Sequence, residues 1–176
     1  MKTVVRRKVI VIPYVHSGEF LVVKDRKFKE WTFITGGCKA YETDAQAARR
    51  ELLEETRGTL NVPFTDDQES IKFRTTYRES RELAQDRLRG ERVVTQYAVF
   101  FVNVSSMPIG NLKAKFRGTK NVRGAFNENA DLSFETLESF AQKTHVWRFI
   151  RNHVLPAPFF RTFSAQNGFK GVPSIP

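Results

Sequence analysis

The chain has 176 residues, 40% hydrophobic and 27% charged, an ordinary globular composition long enough for one domain with a sizeable core or one domain plus a tail. No run of about 18 apolar residues occurs, so no membrane span is expected, and the single cysteine, Cys38, excludes an internal disulfide and fits a reducing, cytoplasmic setting. The net charge of +10 favours polyanionic partners such as nucleic acid or polyphosphates, with solubility alone as the equal alternative.

The opening segment, MKTVVRRKVIVIPYVHSGEF, is expected to be a strand rather than a signal peptide: its apolar run is short, alternating, and broken by Pro13, Tyr14 and His16. Residues 3–15 are therefore expected to form a strand. A turn at His16–Glu19, with Gly18 free to take unusual dihedrals, leads to a second strand over 20–24. The charged stretch 24–30 reads as loop, 31–34 as a short buried strand, and Thr35-Gly36-Gly37 as loop again. The period then changes. Ala45, Ala48 and Leu52 fall on one stripe, predicting a helix over 43–57 that opens at Glu42 or Thr43 and stops at Gly58. Beyond a loop at 61–67, residues 70–77 alternate as a strand. Residues 78–92, RESRELAQDRLRGER, are either an exposed helical insertion or a mobile loop. VVTQYAVFFVNV, residues 93–104, carries the strongest strand pattern, and 105–130 predict loop with at most one short strand. A long helix is expected from Ser133, as its cap, to Leu155, with Glu135 and Glu138 near its positive end and Trp147, Phe149 and Leu155 towards the core. Pro156 and Pro158 are expected to end regular structure. That leaves a domain over 1–155 and a tail over 156–176 carrying Phe159, Phe160, Phe163 and Phe169 among Arg161 and Lys170. Strands flanking both helices give an α/β (α+β) class with a mixed sheet.

The chemistry concentrates in residues 36–58, GGCKAYETDAQAARRELLEETRG. Spacings of three and four put Glu51, Glu54 and Glu55 on one helix face, within roughly 100° of its circumference. Like charges so placed repel by a few tenths of a kcal/mol per pair, a cost relieved by a cation between them. Oxygen-only ligands suit Mg²⁺ or Mn²⁺, which commonly work beside substrate phosphates. Taken alone, the three carboxylates are better read as a solvated helix face.

Their context changes that reading. Gly36 lies six residues before Glu42, and Arg50-Glu51 begins eight after it. The stretch resembles the Nudix box, G-x5-E-x7-R-E-U-x-E-E-x-G-U with U aliphatic. Gly36, Glu42, Arg50, Glu51, Leu52, Glu54 and Glu55 match it without a gap. Trp31-Thr32-Phe33 resembles the aromatic strand that enters the box. Two positions depart: Arg57 stands where the final glycine belongs, with Gly58 one place later, and Thr35 stands where a first glycine is common. The entry W-T-F-I-T-G-G and the ending E-E-T-R-G resemble Nudix proteins of large DNA viruses, for which the setting would be the host cytoplasm. The resemblance extends, in element order, over most of residues 3–150.

The resemblance implies a Nudix-type α/β/α sandwich. It also implies hydrolysis of a nucleoside diphosphate linked to another group, by a water that Mg²⁺ or Mn²⁺ activates. Glu51, Glu54 and Glu55 would be the metal ligands, and Arg50 would orient a carboxylate of the box. Glu42 would brace loop and helix, and Gly36 and Gly37 would let main chain approach a phosphate or metal. Glu54 or Glu55 is the first choice for general base. A later carboxylate, Glu128 or Asp131, is the alternative, beside the plain reading of both as loop and helix-end acids. His16, His145 and His153 lack metal-ligand spacing with one another or with Cys38, which has no evident partner base. For the substrate, the basic balance, the Lys/Arg-rich segments RTTYRESRELAQDRLRGER and LKAKFRGTKNVRG, and the Phe-rich tail favour an mRNA 5′ cap. Free nucleotides come next: dinucleoside polyphosphates, nucleotide sugars or NTPs. Diphosphoinositol polyphosphates come third, and a non-catalytic RNA-binding module is the reading from another class. For the tail, phenylalanines pinned across an apolar patch are the favoured reading over base stacking.

Overall fold

The computed structural model describes residues 1–119 and 121–169, so Lys120, Lys170 and the last six residues fall outside it. In chain order the elements are β1 (Lys2–Tyr14), β2 (Phe20–Asp25), β3 (Trp31–Thr32), β4 (Ile34–Gly37), α1 (Asp44–Glu55), β5 (Ile71–Thr75), α2 (Ser80–Leu88), β6 (Glu91–Asn103), α3 (Leu112–Gly118), β7 (Asn129–Glu135), α4 (Leu137–Gln142) and α5 (Pro158–Gln166). A 3₁₀ turn at Gly124–Asn127 and a π turn at Ile150–Val154 complete the list.

The strands form one mixed sheet in the order β3-β2-β1-β6-β5, with β4 antiparallel to β1 and β7 antiparallel to β2. Its spine is the parallel pair β1 and β6, matched from Lys2 opposite Glu91 to Tyr14 opposite Asn103. Strand alternation divides β1 between two cores. Val9 and Val11 face Ala45, Ala48 and Leu52 of α1 on one side. Ile10 and Ile12 join Phe20, Phe33, Phe140, Phe149 and Phe160 on the other. Each fully buried Val, Leu, Ile or Phe among them contributes roughly 1.5–3 kcal/mol. The result is an α/β/α sandwich around a mixed sheet, the class the sequence predicts. Among the described residues no helix is long and apolar enough to cross a membrane.

Local chemistry fixes both ends of α1. Thr43 is the N-cap: its hydroxyl accepts from Gln46 N (3.1 Å), and the Gln46 side chain accepts from Thr43 N (3.0 Å), a reciprocal box that satisfies two otherwise orphaned donors. At the other end Arg57 N donates to Glu54 O (3.1 Å) and Gly58 N to Leu53 O (2.7 Å), the pairing of a Schellman stop. Arg57 takes the left-handed position of that stop, at φ +54°, where a side chain costs about 1 kcal/mol and glycine is the usual occupant.

Four expectations are corrected. Thr35-Gly36-Gly37 is strand, paired with Lys8–Ile10 of β1. Residues 112–118 form a helix where loop was expected, with Leu112 and Phe116 buried one turn apart. Ser133 caps no helix: it lies within β7, because antiparallel pairing to β2 claims 129–135 and outweighs local helix preference. The helix begins only after Thr136, whose hydroxyl caps Ser139 N (3.0 Å), and it is broken again before His145, at φ +61°. Pro158 begins α5 rather than ending regular structure, since a first-turn proline lacks an N–H that no helix would use. The two-way choice over 78–92 resolves as helix, anchored by Arg78 to both oxygens of Asp86 (2.9 Å each).

Candidate active site

The site is built on α1, and Arg50 is its hub. Nε and Nη2 of Arg50 donate to both carboxylate oxygens of Glu42 (2.8 and 2.9 Å), and Nη2 also reaches the Gly37 carbonyl (2.8 Å). Nη1 serves Glu51 (2.9 Å) and Glu54 (3.3 Å). Glu42 in turn accepts from Lys39 N (2.8 Å), so one guanidinium ties the loop before α1 to two of its carboxylates. Hydrogen bonding to Arg50 holds the Glu42 carboxyl below its ordinary range.

Glu51 points back at β4. A Cβ on Gly36 would overlap its carboxylate, whereas one on Gly37 would meet nothing. The space that Gly36 leaves open receives the Glu51 carboxylate. Burial pushes the Glu51 carboxyl up to about 7. Glu55 is buried against Asn129, whose Nδ2 donates to Glu55 Oε2 (3.3 Å) and to the Glu55 carbonyl (3.1 Å). Burial, and then the charge of Glu51, raise the Glu55 carboxyl well above its ordinary range.

A cleft of about 210 Å³ adjoins this face, lined by Glu55, Glu128, Asn129, Thr35, Phe28, Arg81 and Trp147 among others. Glu128 has no side-chain donor among the described residues, and burial followed by the charge of Glu54 raises its carboxyl. Asp131, weighed beside it, is held elsewhere by Arg117 (3.1 Å) and Lys113 (3.8 Å). The Arg81 guanidinium lies 4.3 Å from the Phe28 ring centroid and forms no salt bridge among the described residues. Asn129, Phe28 and Arg81 carried no sequence signal: an isolated Asn, Phe and Arg in polar segments acquire meaning only from what faces them. Cys38 lies beside Asp44 (3.7 Å), and burial pushes its thiol up to about 11, the reverse of what a nucleophile needs. No histidine is among the residues lining the cleft, and His153 packs on the Tyr77 ring at 5.2 Å.

With Glu51 and Glu54 turned to Arg50 and Glu55 to Asn129, no three ligating groups converge as a finished cage among the described residues. The donor set nevertheless fits a hard divalent cation. It is all oxygen, lies within about one turn of one helix, and sets three glutamates against one arginine.

A family model described as the NUDIX domain matches residues 4–151. Comparison with curated protein sequences gives no match. Among solved structures, a variant of the Bacillus subtilis pyrophosphohydrolase BsRppH aligns over 91% of this chain and 78% of its own at 15% identity, with a TM-score of 0.52. The MutT protein of Methanosarcina mazei Go1 aligns over 95% of this chain and 98% of its own at 16% identity, also with a TM-score of 0.52. At these identities the likeness is one of fold.

Proposed function

The chain belongs to the NUDIX family of hydrolases acting on pyrophosphate bonds, and from that membership we propose that it is a Mg²⁺- or Mn²⁺-dependent enzyme whose metal is held by Glu51, Glu54 and Glu55. The observation that carries the proposal is the Arg50 hub, which gathers Glu42, Glu51 and Glu54 at the edge of a cleft shared by Glu55 and Glu128. A divalent ion bound there would neutralise phosphate charge and acidify a water. Arg50 orients Glu51 and Glu54, Asn129 orients Glu55, and a further carboxylate takes the proton. For that last role Glu128 is preferred over Glu54. It faces the cleft without a cationic partner among the described residues, whereas Glu54 is already paired with Arg50 (3.3 Å).

The substrate is proposed to be a nucleoside diphosphate joined to another group, with an mRNA 5′ cap as the first reading. The net charge of +10 and Arg81 in the cleft, which forms no salt bridge among the described residues, support it. A specific observation favours the second reading, a free nucleotide. Arg78 and Arg117 are engaged by Asp86 and Asp131, and Phe160 and Phe169 are buried rather than presented to bases. Incubation with cap-labelled RNA, with and without Mg²⁺, tests the first. Absence of labelled nucleotide at every metal concentration, with phosphate release from a panel of free nucleotides, would establish the second. Inactivity on both, with salt-dependent RNA binding indifferent to Glu54→Gln, would return the non-catalytic module.

A further inference from the structure

We propose that Arg57, standing where the family pattern has glycine, is a positioning residue that fixes the metal-binding carboxylate of Glu55 through Asn129. The inference rests on the reading of Glu55 as a metal ligand.

Arg57 leaves the end of α1 in a left-handed conformation and lays its guanidinium 4.2 Å from the centroid of the Phe116 ring. Nη1 donates to the carbonyls of Phe116 (3.2 Å) and Thr119 (3.3 Å), and Nη2 to that of Asn129 (3.0 Å). No carboxylate pairs with it among the described residues, so its work is geometric: a planar fork serving three main-chain acceptors. Asn129 is buried as the first residue of β7, and its amide returns to α1, to the carbonyl (3.1 Å) and carboxylate (3.3 Å) of Glu55. The circuit closes on itself. The end of α1 holds the start of β7 through Arg57, and the start of β7 holds the last carboxylate of α1 through Asn129. Glu128 precedes Asn129 on the same gripped segment and is carried into the cleft with it. A glycine at position 57 would satisfy the backbone without strain and would offer the three carbonyls nothing.

The test compares Arg57→Gly, Arg57→Lys, Asn129→Ala and the double variant Arg57→Gly/Asn129→Ala with the wild-type chain. Mn²⁺ alone is titrated calorimetrically, thermal melts are recorded, and steady-state kinetics follow on the best wild-type substrate. Arg57→Gly is expected to stay folded, because glycine relaxes the left-handed residue. It should weaken Mn²⁺ binding about 10-fold or more and lower kcat with KM little changed, in keeping with the roughly 10–100-fold cost of losing a partner that orients a ligand. Asn129→Ala should match it, and the double variant should be no worse than the poorer single one, since both break one circuit. Arg57→Lys, which can serve one carbonyl, should recover part of the lost affinity. Should Arg57→Gly fail to fold, Arg57→Lys and Asn129→Ala carry the same comparison. Wild-type Mn²⁺ affinity in the variants, or strictly additive losses, would overturn the positioning role alone. A wild-type chain that binds no Mn²⁺ would overturn the metal reading and this role with it.

Discussion

The carboxylate of Glu51 occupies the volume that a side chain at Gly36 would need. The first glycine of the box and its first helix glutamate are thus one steric unit, joined across the gap between β4 and α1. Gly36→Ala should force Glu51 off Arg50. The expected result is a loss of about 1 kcal/mol of stability or less, since only the far end of a flexible side chain must swing aside and lose its bond to Arg50, and a fall in kcat of roughly 10–100-fold through the displaced ligand. Chemical denaturation and steady-state kinetics would measure both. Gly110→Ala, where a Cβ meets no atom within 4 Å, is the matched control. Equal behaviour of the two variants would refute the relationship.

Two glutamates differ in what they are asked to do, and the difference is measurable. Glu54→Gln is expected to lower kcat at least about 100-fold and to weaken Mn²⁺ binding, since it removes a ligand charge. Glu128→Gln is expected to lower kcat by about 100-fold or more with Mn²⁺ affinity retained, as loss of a general base would. If Glu128→Gln keeps wild-type turnover, the base lies among the box glutamates instead.

Stability should depend on pH in a way that metal reverses. In the metal-free protein burial raises the Glu51 carboxyl from 4.5 to about 7, and Glu55 is raised too. A carboxyl whose folded value lies above its unfolded one stabilises the fold in its protonated form. That contribution is complete below the unfolded value and is lost as pH climbs through the folded one. The melting temperature in EDTA should therefore fall between about pH 5 and pH 8, and saturating Mn²⁺ should flatten the fall. A metal-free melting temperature that rises over this range would contradict the buried-carboxylate geometry.

The C-terminal helix should matter to the whole domain. Phe160 lies against Phe20 and Phe33 with ring centroids 6.3 and 5.6 Å away. Phe160→Ala is expected to cost about 3–5 kcal/mol, through lost burial and the cavity left behind. A loss under about 1 kcal/mol in urea denaturation would mean that α5 is not docked in solution.

Much of this protein was legible without coordinates. The helix over 43–57, its Thr43 start and its buried Ala45, Ala48 and Leu52 follow from period and capping chemistry, which act within a few residues. Fixed spacing over the same short range let Gly36, Glu42, Arg50 and the three glutamates be matched to the Nudix box as one set. The strands β1, β2, β5 and β6 also declared themselves, because alternation is written residue by residue. What failed was whatever a distant partner decides. Residues 133–135 have helix-compatible composition and became strand because β2 offered an open edge. Gly36-Gly37 became strand because β1 did. Pro158 looks like a terminator until a helix is seen to start on it.

The site divides along the same line. By itself the sequence determined the chemistry available: three carboxylates on one helix face, an arginine one residue before the first of them, and a glycine six residues before Glu42. Only the tertiary structure decided which carboxylate faces the cleft, that Asn129 orients Glu55, that Asp131 is engaged by Arg117, and that Arg57 grips three carbonyls. The physical reason is range. Periodicity and capping are local and leave a trace at fixed spacing, whereas a hydrogen bond across about seventy residues, such as Asn129 to Glu55, exists only once the sheet has brought its two ends together.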